Sequence, residues 1–129
     1  MPQLRLQRVR FSVEADTRLK MLKARTGITP NILCRLGFCL SLAEPGAPVS
    51  DASDLSTREI NRYTLLGEYD RLLASLLQLR HPDVRGDGED LDALFIQHLH
   101  RGIALLFNRV KSPASLVEVA TAASGGSHE

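Results

Sequence analysis

Tryptophan is absent from the chain, tyrosine occurs twice and phenylalanine four times in 129 residues. A core must therefore be built from Leu, Ile, Val and Ala rather than from stacked rings. Cysteine is almost absent as well. Cys34 and Cys39 are five positions apart, which on a helix turns them about 140° away from each other. That spacing excludes a local disulfide and a CxxC site, and two free thiols fit a reducing compartment. No apolar run approaches the ~20 residues that cross a bilayer. The opening MPQLRLQRVRF is studded with arginine and has no apolar segment, so no secretory signal is read there. The expected location is cytoplasmic, with no membrane partner. A chain of this length can bury a core without a disulfide or metal staple. The expected organisation is one domain over residues 1–120, with 121–129 a disordered tail that ends SGGSHE.

Chemical motifs are missing too. There is no Gly-rich phosphate loop, no nucleophile elbow, and no Ser or Cys with a visible base partner. His98 and His100 lie two apart on a helical pattern and lack the spacing of a metal pair. His98 is read as an inward, hydrogen-bonded histidine and His100 as a surface one. Asp87, Glu89, Asp90 and Asp92 lack the ligand spacing of a calcium loop and read as a solvated helix start. No catalytic residue, metal or cofactor is expected of this chain.

What is present is an uneven charge. The first 35 residues hold eight basic side chains against Glu14 and Asp16, a net +6; the remainder nets −5, for a total of +1. A basic segment beside an acidic one points to an anionic partner or to an internal electrostatic match.

Residues 8–13, RVRFSV, alternate strictly, with Val9, Phe11 and Val13 on one face and Arg8, Arg10 and Ser12 on the other. This predicts a strand with one buried face. No strong partner strand is visible in the chain, so the expected partner is the same strand of a second subunit, antiparallel across a twofold axis. A first helix is predicted over 15–26, with Leu19 and Leu22 buried and Gly27 as its stop. Thr29-Pro30 opens a second helix that runs to 42. Its apolar residues, Ile32, Leu33, Leu36, Phe38 and Leu40, lie nearly all round, which predicts deep burial in an oligomer. Residues 43–57 read as a loop, with a short extended piece around 60–66 after it. Helices are predicted over 68–80, 91–109 and 113–120. The expected fold is mostly α, with a ribbon-helix-helix-like N-terminal unit (8–42) followed by a small helical bundle (58–120).

In a ribbon-helix-helix unit the strands enter the major groove, so Arg8 and Arg10 are candidate base readers. Thr29 to Asn31 offers helix N–H groups to a phosphate. Equally, Arg8 and Arg10 fit the wet face of an edge strand. Lys20 and Lys23 are one turn apart and can face one phosphate backbone, with Arg18 and Arg25 on the same helix. Taken alone, two lysines there are an ordinary solvated face.

The stretch LKMLKARTGITPNILCRLGFCLSL (19–42), with TGITPNI (26–32) at its centre, closely resembles the DndE family of bacterial DNA sulfur-modification (phosphorothioation) systems. NRYTLLGEYD (61–70) and HLHRGIALLFNRVKSPASLV (98–117) resemble it as well. The resemblance implies an all-α tetramer with a ribbon-helix-helix-like start that binds duplex DNA, nicked DNA preferentially. It implies association with the cysteine desulfurase, the iron–sulfur pyrophosphatase-like protein and the ATPase of the same system, to which cofactors and catalysis belong. It also implies DNA-binding lysines just before TGITPNI, where Lys20 and Lys23 stand, and so raises them above a plain solvated face. Two other functions remain open: a ribbon-helix-helix transcriptional regulator, and a scaffold that carries sulfur on Cys34 or Cys39.

Overall fold

The structure is a computed structural model that describes residues 2–49 and 54–125. The order of elements is β1 (Arg8–Ser12), α1 (Val13–Thr26), α2 (Pro30–Ala43), β2 (Leu55–Asn61), α3 (Arg62–Leu66), a 3-10 turn (Gly67–Tyr69), α4 (Asp70–Arg80), α5 (Glu89–Arg109) and α6 (Pro113–Gly125). The fold is mostly α with a ribbon-like start, as the sequence predicts. Helix α6 runs five residues beyond its expected end; residues 126–129 of the expected tail, and 50–53 of the expected loop, lie outside the described residues.

Local chemistry sets the helix ends. Ser12 caps α1, its Oγ accepting from the Ala15 N–H at 3.1 Å. Gly27 ends α1 in the left-handed region, φ 73°, and its N–H returns to the Lys23 carbonyl. Pro30 stands at the start of α2, but the Thr29 side chain makes no capping bond. Thr26 secures the turn before α2 instead, its hydroxyl donating to the Leu22 carbonyl and accepting from the Ile28 N–H.

The strand finds its partner within the chain, against the expectation of an intersubunit ribbon. β1 pairs antiparallel with β2, with Val9 opposite Ile60 and Arg10 opposite Glu59. β2 begins within the loop expected over 43–57 and overlaps the extended piece expected at 60–66 only at 60–61; residues 62–66 form α3 instead. The inward residues of β2, Ser56, Arg58 and Ile60, are mostly polar, so an apolar alternation does not mark it.

Helix α5 is the centre of the molecule. Leu91, Phe95, Leu99, Ile103 and Leu106 are buried along it, and its broadest packing is against α2. Those two helices cross backbone to backbone: a Cβ on Gly37 would stand 2.8 Å from the Gly102 carbonyl carbon. Phe38 meets Phe95 there, ring centroids 5.1 Å apart. α2 therefore buries one face in its own chain and leaves Ile32 and Cys39 exposed. Buried residues from Leu4 to Val110 form one cluster.

The N-terminal arm is fixed by a charge. Arg62 is 3% exposed, donates to the carbonyls of Leu4 and Leu6 at 2.7 and 2.6 Å, and faces Asp70 at 3.3 Å. His100, expected at the surface, is buried. Its Nε2 accepts from the Ser12 N–H and its Nδ1–H donates to the Ile96 carbonyl, so the neutral ring ties the β1–α1 junction to α5.

Candidate nucleic-acid interface

Helix α1 carries four of the candidate residues and separates them. At about 100° per residue, Lys20 and Lys23 lie ~60° apart on one flank of the buried Leu19–Leu22 stripe. Arg18 and Arg25 lie ~20° apart on the opposite flank. On the first flank Asp16 is the pivot. Lys20 Nζ reaches its carboxylate at 3.4 Å, and Arg58 Nε from β2 makes a short ion pair with it. Burial would raise the Asp16 carboxyl, but the hydrogen bonds and charges of Arg58 and Lys20 outweigh it and hold the pKa below 3.8. Asp16, Lys20, Arg58, Thr57, Glu59 and Ile60 line an open cavity of about 360 Å³. Lys23 is exposed and forms no ion pair with any described residue.

On the second flank the guanidinium groups stack on Phe107 near the end of α5. Arg25 lies 4.7 Å and Arg18 5.8 Å from the ring centroid, and Lys111 Nζ stands 5.2 Å from it. Glu14 approaches Arg18 at 3.8 Å. Nη1 of Arg25 is shielded from solvent and has no hydrogen-bond acceptor among the described residues. Arg58, Phe107 and Lys111 were not legible as site residues, because nothing local in the sequence places them against α1.

The two strand candidates share one carboxylate. Arg8 lies 4.0 Å from Glu59, and Arg10 faces the same Glu59 across the ladder while its Nε donates to the Ser56 carbonyl. Thr29 is exposed and Asn31 half-buried at the start of α2, beyond the turn that follows α1.

One constellation resembles catalytic apparatus and was hidden by 57 residues of separation between Ser41 and His98. Ser41 Oγ lies 2.8 Å from His98 Nδ1, and His98 Nε2 lies 2.7 Å from His81 Nε2. Arg101 Nε donates to the same Ser41 oxygen. One consistent proton arrangement runs Arg101 to Ser41 to His98 to His81, both rings neutral. Burial, then the neighbouring His81, Arg101 and Arg80, pull His98 down to about 4; burial and the same two arginines lower His81. Ser41 and His98 are fully buried. Around them Arg101 and Arg80 hold the carbonyls at the end of α2 and of Gly46. Among the described residues no group of three His, Cys, Asp or Glu could hold a metal, and no helix is long and apolar enough to cross a membrane.

A mostly α-helical chain with a two-stranded start, and with basic side chains on both flanks of its first helix, is the class these features define. Within that class, the profile described as "DNA sulphur modification protein DndE" matches residues 8–114, and the chain belongs to the DndE family of DNA phosphorothioation systems. The crystal structure of DndE from Escherichia coli B7A, involved in DNA phosphorothioation modification, is similar at TM-score 0.66 and 30% identity, covering 81% of this chain and 99% of that one. A DndE with two glycine-to-lysine substitutions gives TM-score 0.63 at 29% identity with the same coverage. No match was found among curated protein sequences.

Proposed function

We propose that the chain is a non-catalytic DNA-binding subunit of a phosphorothioation machine, holding duplex or nicked DNA for cytoplasmic partner proteins that carry the sulfur chemistry. The observation that carries this reading is Lys23 beside Lys20 on an exposed flank of α1, where Lys23 has no intramolecular counter-ion among the described residues. Phosphate contacts of this kind give affinity without reading bases. The pairing of β1 with β2 inside the chain, in place of an intersubunit ribbon, favours the helix over the strand as the contact, and with it the machine subunit over the ribbon-type regulator.

Self-association is part of the proposal. α2 and α4 leave Ile32, Cys39, Leu72 and Leu79 exposed, with Leu36, Leu40 and Leu76 half-buried among them. Exposed apolar positions on two helices fit the contact surfaces of a homo-oligomer, a tetramer by family resemblance. The test is a titration of the purified protein against intact, nicked and phosphorothioated duplexes over a range of salt, with mass measured by light scattering. Salt-dependent binding with preference for the nick supports the reading, and an absence of binding to any duplex overturns it.

A further inference from the structure

The two flanks of α1 are chemically unlike, and the ridge between them carries no positive charge. Lys20 and Lys23 occupy one side, and Arg18 and Arg25 the other, the two pairs centred about 180° apart around the helix. The exposed ridge between them is Val13, Thr17, Met21 and Ala24, with Glu14 at its arginine edge, paired with Arg18.

On the Arg18–Arg25 flank three cations crowd one ring. Phe107 holds Arg18, Arg25 and Lys111 within 5.8 Å of its centre. Cation–π attraction offsets part of their mutual repulsion. The C-terminal end of α5, whose Phe107 carbonyl accepts from Lys111 at 3.1 Å, adds about half a negative charge. Glu14 adds one more through Arg18. The patch keeps an excess of more than one positive charge, and Arg25 Nη1 keeps no acceptor among the described residues. The excess charge, carried outward by Arg18 and the exposed Lys111, is of the kind that attracts an oxyanion.

We propose that α1 lies in the major groove of the duplex and straddles it, with Lys20 and Lys23 on the phosphates of one strand and Arg18 with Lys111, backed by Arg25 on Phe107, on those of the other. This rests on the DNA-binding reading above. An α-helix with its side chains is about 10–12 Å across, which matches a major groove about 12 Å wide and exceeds a minor groove of about 6 Å. The ridge offers base edges one hydroxyl, Thr17, and apolar groups, and its one carboxylate, Glu14, is held by Arg18, so the contact follows groove shape more than sequence. Arg25 acts as a fixed charge held by its stack, while Arg18 and the exposed Lys111 reach the backbone.

The experiment titrates the full chain, as it assembles, against a duplex of about two helical turns at several salt concentrations. Wild type is compared with Lys23→Ala, Lys111→Ala, Arg18→Gln and the Lys23→Ala/Lys111→Ala pair. Each single change is expected to lower the salt slope by roughly 0.9 per lost phosphate contact, and the pair by the sum. Lys111→Arg should restore binding. A duplex whose cytosines carry bulky C5 sugar adducts, filling the major groove, should bind more weakly than the plain one. Lys111→Ala and Arg18→Gln variants that fold and keep the wild-type slope while Lys23→Ala loses it overturn the two-strand arrangement. Equal affinity for the adduct duplex overturns the groove assignment. A wild-type chain that binds no duplex overturns the DNA-binding reading instead.

Discussion

Lys20 and Lys23 carry the same charge on the same flank of α1, yet their surroundings differ. Lys20 is tied to Asp16, whose carboxylate also answers the Arg58 guanidinium. In the DNA-binding reading proposed above, a phosphate competes with Asp16 for Lys20 and has no such competitor at Lys23. Lys23→Ala is therefore expected to weaken duplex binding more than Lys20→Ala, measured as the larger drop in salt slope; the reverse order would show that Asp16 does not restrain Lys20. The thiols differ in a similar way. Burial pushes Cys34 up to about 12, and partial desolvation raises the outward-facing Cys39. Both shifts disfavour the thiolate, the nucleophile a sulfur carrier needs. Alkylation at mildly alkaline pH should be slow at Cys39 and absent at Cys34 until the chain unfolds, and Cys39→Ser should leave DNA affinity unchanged. A rapidly alkylated Cys34 in the folded protein would revive the carrier reading.

At the scale of elements, the α2–α5 crossing depends on two missing side chains. A Cβ on Gly102 would overlap the Gly37 carbonyl, and the obstacle is backbone that has no rotamer to change. Gly102→Ala should cost at least about 3 kcal/mol, read as a lowered midpoint in urea unfolding, and an unchanged midpoint would mean the helices can separate at no cost. The longer helices were legible, because Gly27 and Thr29-Pro30 punctuate the first two and their apolar residues recur at helical spacing; the start of α1 at Ser12 and the short α3 were not. β2 was not, because its inner face carries Arg58, whose partner Asp16 lies 42 residues away. The same blindness applies to the interface. Periodicity places Lys20 and Lys23 on one face, but only the fold brings Phe107 and Lys111 to Arg25, and only the fold buries His100 against Ser12. Patterns read one element at a time, and these contacts join elements distant in sequence.

For the whole molecule, the buried His98 and its partner His81 make stability depend on pH. His98 titrates near 4 when folded and near 6.5 when unfolded, so the unfolded chain takes up the proton first as pH falls. Stability should decline from about pH 6.5 to about pH 4 and then level off for this group, a loss of roughly 3 kcal/mol. His81 acts in the same direction, and Asp16, whose pKa is depressed, adds its own loss below pH 3.8. Urea unfolding at about pH 7.5 and about pH 4.5 measures this, and equal stabilities at the two values would mean that His98 is not shut away from water. The internal pairing of β1 with β2 also bears on how the chain reaches its fold. Arg8 and Asn61 meet only after both helices of the intervening segment have formed or collapsed, so the ribbon closes a loop of about fifty residues. α1 and α2, joined by a three-residue turn, form from local contacts. The first strand therefore stays unpaired until β2 is available, and until then Val9 and Phe11 are open to any neighbouring strand.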